Sequence, residues 1–169
     1  MEKLVIGVTG IALLVGLWRR FRASRKRKKR EAPFMLPSDI VITPAALLSE
    51  TEAPLYNLLR MVVQDRYLIL SQVPLWTLVT VEGKGKERAY VLNRIALKQV
   101  DFALVHPGTR LVEQVVQIDD AHRRPHQVEW LRVIDSVLSA AGVKLVKVEA
   151  EKTYSIPELT TLLGLAEET

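Results

Sequence analysis

The sequence predicts an α/β (α+β) domain built on one central mixed sheet flanked by helices, preceded by a single N-terminal transmembrane helix. Three observations lead there. Residues 4–18 (LVIGVTGIALLVGLW) form an uncharged apolar run closed by a dense basic block. Further along, short runs of strand length, rich in valine, isoleucine and leucine, are punctuated by glycine and proline. Between them stand stretches whose apolar residues recur at helical spacing. The resulting order, αββββαβα, suits one sheet with helices packed against it. The expected boundaries are an anchor at residues 1–21, a basic juxtamembrane segment and linker at 22–44, and the domain at 45–169.

As a helix, residues 4–18 cover about 22 Å at the usual rise per residue, short of the ~30 Å hydrocarbon core of a bilayer. Extended to residues 1–21, with Lys3 and Arg19 reaching for the head groups and Trp18 at the interface, the segment spans. A cleaved signal peptide would show a small-x-small site after the run, but the chain continues into RRFRASRKRKKR, in which nine of twelve residues are Lys or Arg. By the positive-inside rule this block stays in the cytoplasm, so the expectation is a single-pass protein of the cell inner membrane with its C-terminal domain cytoplasmic. At about 1 kcal/mol per basic residue near an anionic leaflet, Arg19 to Arg30 would also bind acidic lipid.

The formal charge of +5 and the pI near 9.6 describe this block alone. Residues 31–169 hold 14 basic and 18 acidic side chains, a net of −4, so whole-chain charge gives the domain no case for nucleic-acid binding. Nor do aromatics interleave the block beyond Phe21, as a stacking arm would need. With no cysteine, the core must come from packing without disulfides or thiolate zinc sites.

Three prolines and no clear periodicity in residues 31–44 suggest an extended linker. Leu47, Leu48, Leu55, Leu58, Leu59 and Val62 then predict a helix, with Ser49-x-x-Glu52 as its capping box and Pro54 better placed if the helix starts near Thr51. Residues 67–73 (YLILSQV) and 75–81 read as strands, closed by a GKGKE turn at 83–87 that lacks P-loop spacing. Residues 100–105 (VDFALV) and 111–118 (LVEQVVQI) predict a hairpin across His106-Pro-Gly-Thr. Residues 128–141 form an amphipathic helix stopped by Gly142, residues 145–148 a strand, and residues 155–165 a last helix with Ser155 as cap and Pro157 in its first turn.

The chemistry-bearing residues gather where the hairpin ends. Asp101 begins one strand, Gln117 and Asp119 close its partner on one face by alternation, and Asp120 and His122 follow in the turn. Carboxylates at neighbouring strand ends suit Mg²⁺, which takes hard oxygen ligands and keeps several waters, and a nearby histidine can handle a proton. The plain alternative is strand-end chemistry, in which aspartates cap nearby backbone N–H groups. His122 and His126 flank Pro125 and lack the glutamate of a zinc helix. Lys98 is positioned to meet a phosphate or simply to be an exposed strand lysine, and Trp76 and Trp130 read as core or edge-covering aromatics.

The segments LLSETEAPLYNLL, QV at 72 and 73, RIALKQVDFALV, VVQIDDAH and AAGVKLVKV, in this order over residues 46–163, resemble the bacterial domain of unknown function 2726 family. That family is assigned to the PD-(D/E)XK, restriction-endonuclease-like superfamily. The resemblance implies a restriction-endonuclease-like core and matches Glu52 to a helix glutamate, Asp101 to the V-D-F aspartate, Asp119 and Asp120 to an acidic pair and His122 to a histidine. It implies that Asp101 and Asp119, beside Asp120, hold Mg²⁺ for phosphodiester hydrolysis of nucleic acid. Gln117 then completes the site through its carbonyl, and His122 moves the proton. Gln117 stands where the family has glutamate, and Asp119 stands at the signature lysine. The expectation is therefore a nuclease-like domain with a degraded metal site, or alternatively a catalytically inactive protein-interaction module at the inner face of the membrane.

Overall fold

The computed structural model describes residues 34–120 and 125–166. The expected span at 1–21, the basic block and His122 lie outside these residues. Among the described residues no helix is long and apolar enough to cross a membrane. The chain divides into two units, Met1–Pro44 and Ala45–Thr169. In the first, residues 34–44 contain no helix or strand and leave Phe34, Val41 and Ile42 exposed.

In the second unit the order is α1 (Glu52–Val63), β1 (Leu68–Pro74), α2 (Leu75–Leu78), α3 (Gly85–Ile95), β2 (Gln99–Val105), β3 (Val112–Asp119), α4 (Pro125–Ala140), β4 (Lys144–Glu149) and α5 (Ile156–Leu163). The sheet is mixed, in the order β1-β2-β3-β4, antiparallel across the first two pairings and parallel across the third. A parallel pair requires a crossover, and α4 supplies it.

Each face of the sheet has its own core. On one side Phe102, Leu104, Val116, Val146 and Val148 meet Leu59 and Val63 of α1 and Leu159 and Leu163 of α5. On the other, Val100, Ala103 and Val115 meet Leu75, Ile95 and the α4 residues Ile134 and Leu138. With both faces covered, β2 and β3 carry buried residues almost continuously from Phe102 to Val105 and from Gln114 to Gln117.

Two expectations are corrected. Residues 75–81 are not a strand: Leu75–Leu78 form one helical turn, with Leu75 fully buried and the Thr77 hydroxyl donating to the Pro74 carbonyl at 2.6 Å. The reason is the lack of a partner. β1 pairs with β2 only as far as Pro74 opposite Gln99, where β2 begins, and the Leu75 N–H turns to the Lys98 carbonyl at 2.8 Å. Residues 83–87 are not simply a turn either. Gly83 at φ +123° and Gly85 at φ +69° redirect the backbone, and α3 starts at Gly85. Only Ile95 of α3 is buried, so the sequence shows no wide apolar stripe there.

One boundary is as expected and one shifts. α1 starts at Glu52, next to the Thr51 start that Pro54 favoured, and Leu47 before it is exposed. α4 starts three residues before the periodic stretch, at Pro125. At the other end of the domain, α5 has the expected cap. The Ser155 hydroxyl and Glu158 form a reciprocal capping box, and Gly164 closes the helix in the left-handed region at φ +72°.

Candidate functional site

Four polar residues stand level across the sheet. Gln72 lies between the pairs Ser71–Phe102 and Val73–Val100, abreast of Asp101; Asp101 is abreast of Gln117, and Gln117 pairs with Lys147 of β4. The helix α1 adds Glu52 from above. Glu52 is buried and serves two ends: its Oε2 accepts the Ser49 N–H at 2.7 Å while its own N–H donates to the Ser49 hydroxyl at 3.2 Å, and its Oε1 accepts from the Gln72 side-chain amide. The capping box thus also fixes a carboxylate against the sheet.

Gln72 adopts φ +53° within β1, a left-handed conformation costing about 1–2 kcal/mol for a residue with a Cβ. What holds it is the side chain, whose Nε2 donates to Glu52 and whose Oε1 accepts from Gln99 Nε2 at 2.7 Å. The result is a relay of amides, Gln99 to Gln72 to the Glu52 carboxylate.

A second, shorter relay runs beside it. Gln117 Nε2 donates to Asp101 Oδ2 at 2.6 Å, and the Ile118 N–H donates to the same oxygen at 2.7 Å. This direction is forced, since only the NH₂ side of the amide can face a carboxylate that is already accepting a backbone N–H. The Gln117 carbonyl is thereby turned away, and although the residue is only 7% exposed, its Oε1 has no hydrogen-bond partner.

Ser49, Glu52, Asp101, Gln117, Asp120 and Trp130 border one cavity of about 230 Å³. The Trp130 indole N–H is likewise buried without a partner, so two of the three residues that carry such atoms among the described residues border this cavity. Lys98 stands 5.9 Å from the centre of the Trp130 ring, a cation–π contact. A larger groove of about 390 Å³ runs between α1 and the β4–α5 connection. It is lined mainly by apolar side chains such as Leu55, Leu58 and Met61 and holds none of the expected site residues.

Of those residues, Asp101, Gln117 and Asp120 come together at one cavity. Asp119 ends β3 level with Glu149 and borders a neighbouring cavity with Asp120, Arg132, Asp135 and Lys147. Among the described residues no group of three or more histidine, aspartate or glutamate side chains is gathered for a metal ion. At Asp101 an N–H of the Gln117 amide points at Oδ2, where a cation would instead need a bare oxygen, and the neutral amide supplies no charge.

Gln72, Gln99 and Trp130 were not apparent as site residues. For Gln72 the signals were a glutamine inside the otherwise β-type run YLILSQV and the QV pair at 72 and 73 among the segments of the family resemblance. No curated protein and no solved structure matches the chain. The family described as "Protein of unknown function (DUF2726)" matches residues 44–166, and the chain belongs to it.

Proposed function

We infer that this is a membrane-anchored, cytosol-facing domain of restriction-endonuclease-like descent that now acts as a catalytically inactive protein-interaction module at the inner face of a bacterial membrane. One observation carries the reading: the Gln117 amide donates at 2.6 Å to Asp101 Oδ2, taking the place of a cation beside the carboxylate the superfamily uses. The mixed sheet with helices on both faces agrees with that descent. The apolar run at 4–18 and the basic residues Arg19 to Arg30 supply the anchor and its attraction to anionic lipid.

The test is a cleavage assay on the full-length chain in detergent micelles, with supercoiled DNA and single-stranded RNA in Mg²⁺. The reading predicts no cleavage above a buffer control. Cleavage by the wild type that disappears in Asp101→Asn would overturn it. A metal-dependent nuclease is the second reading, favoured by the meeting of Glu52, Asp101 and Gln117 at one cavity. A half-turn of the Gln117 amide would present three hard oxygens there, at the cost of its bond to Asp101.

A further inference from the structure

The two edges of the sheet are defended differently. β4, at one end, turns three charged side chains to solvent, Lys144, Lys147 and Glu149. Charges of this kind, lysine above all, keep an edge from pairing with another chain. β1, at the other end, has no such guard: residues 67–81 carry no charged side chain, and Pro74 stands only at the last position of the strand. Among the described residues β1 pairs with β2 alone, so its outer side presents backbone N–H and C=O groups.

The side chains of this edge are apolar on both faces. Leu68 and Leu70 lie opposite Val105 and Ala103; Ala103 is fully buried in the core beneath α4, yet Leu68 and Leu70 are 53% and 48% exposed. The helices on that face stop short of the edge. On the other face Ile69 packs partly into the α1 core, and beside it lies a hollow of about 260 Å³ bordered by Tyr56, Gln64 and Tyr67.

The sequence Leu68-Ile69-Leu70 is the same read in either direction. When two copies pair antiparallel about Ile69, Leu68 of each faces Leu70 of the other, and the two Ile69 residues face one another. The leucines close the exposed corner, the isoleucines enter the hollows, and no like charges meet. A helix or a lipid surface laid on this edge would leave its backbone groups unmet, whereas a strand satisfies them.

We propose that β1 is a homodimer interface, at which two copies of this chain pair antiparallel about a two-fold axis at Ile69 and join their sheets. The proposal goes beyond the interaction-module reading and stands whether or not Asp101 holds a metal. Seven residues a side is far fewer than the roughly 20–30 of a standard interface, so the dimer is weak and depends on concentration.

The experiment uses the full-length chain in detergent micelles. The wild type has no cysteine, so single cysteines report one contact each. Both leucines are half exposed, and replacing them leaves the core filled. In the proposed register a cysteine at 68 lies directly opposite one at 70, with Cα atoms about 4.5–5.5 Å apart and within disulfide reach. Two cysteines at 68, or two at 70, are diagonal and about 8 Å apart, out of reach. A mixture of Leu68→Cys and Leu70→Cys chains should therefore form a disulfide-linked dimer on mild oxidation, and each variant alone should form at least tenfold less. A capped peptide of residues 67–72 should suppress the link, and a capped valine–threonine peptide of the same length should not.

Sedimentation equilibrium in density-matched detergent gives the affinity. Leu70→Glu replaces two symmetry-related leucine contacts and should raise the dimer dissociation constant about tenfold, while the double variant Leu68→Lys, Leu70→Glu sets opposite charges face to face and should recover most of the loss. Equal linking by the single variants and the mixture, or no linking at all, overturns the proposal. A dimer that Leu70→Glu leaves unchanged overturns it too and places the contact elsewhere in the chain. Equal suppression by the valine–threonine peptide shows an edge that takes any strand and overturns the two-fold pairing.

Discussion

Replacing Gln117 by glutamate turns the amide–carboxylate pair into two carboxylates. The substitution keeps the length of the side chain but puts an oxygen where Nε2 now lies 2.6 Å from Asp101 Oδ2. Two unit charges about 4 Å apart repel by about 4 kcal/mol at an effective dielectric constant of 20. Loss of the amide's charge-assisted hydrogen bond to Asp101 adds about 1.5–3 kcal/mol. Solvent in the adjoining cavity screens part of the repulsion, so the expected destabilisation at neutral pH is about 3–5 kcal/mol. One shared proton relieves it, which raises the carboxyl pKa of the folded pair above its unfolded value. A raised folded pKa gives stability that is present at low pH and lost as pH rises. Gln117→Glu should therefore recover much of the lost stability between neutral pH and pH 5, and should regain stability at neutral pH on addition of Mg²⁺ or Mn²⁺. Urea unfolding of wild type and variant at the two pH values, with and without metal, measures this. A variant as stable as wild type at neutral pH, with no response to acid or metal, would show that Gln117 and Asp101 are not coupled as described.

Three further outcomes follow from the same structure. Gln72→Ala loses the bonds to Glu52 and from Gln99 while keeping a Cβ at φ +53°, whereas Gln72→Gly loses the same bonds but relieves the strain; glycine should be the less damaging by about 1 kcal/mol in chemical denaturation, and equal or reversed losses would refute the strain. Hydrogen bonds from the Ser155 backbone N–H and hydroxyl hold the Glu158 carboxyl below its ordinary 4.5, giving stability that is present above that value and lost as pH falls below it through the lowered value of the folded state; Glu158→Gln should flatten the acid limb of a pH-dependent melting series, and an unchanged limb would refute the role of the box. Leu138→Ala empties a fully buried position between α4 and the sheet and should cost about 2–5 kcal/mol in urea unfolding, with a smaller loss showing that α4 packs more loosely than its burial implies.

What could be read in the sequence was whatever depends on local pattern. Ser49-x-x-Glu52 marked the start of α1, His106-Pro-Gly-Thr the β2–β3 hairpin, and Ser155 and Pro157 the start of α5, because caps and turns are made by residues close in sequence. Alternation along β3 was enough to put Gln117 on the side of Asp101, and the hydrogen bond between them follows from the strands being neighbours. Residues 75–81 misled because their apolar content is that of a strand while the register of β1 against β2 leaves them nothing to pair with, a fact that exists only in three dimensions. Gln72 was hidden for a related reason. Its importance comes from a left-handed backbone and from partners on α1 and at the start of β2, and neither is written in the residues beside it.

The central claim is that an amide, rather than a metal ion, now partners Asp101. It is tested most directly by Mn²⁺ titration of the ¹⁵N-labelled full-length chain in detergent micelles, following paramagnetic broadening of the backbone amides of Asp101, Gln117 and Ile118. The account predicts no site-specific broadening in the wild type and its appearance in Gln117→Glu. Broadening in the wild type that centres on these residues and vanishes in Asp101→Asn would contradict it and restore the metal site.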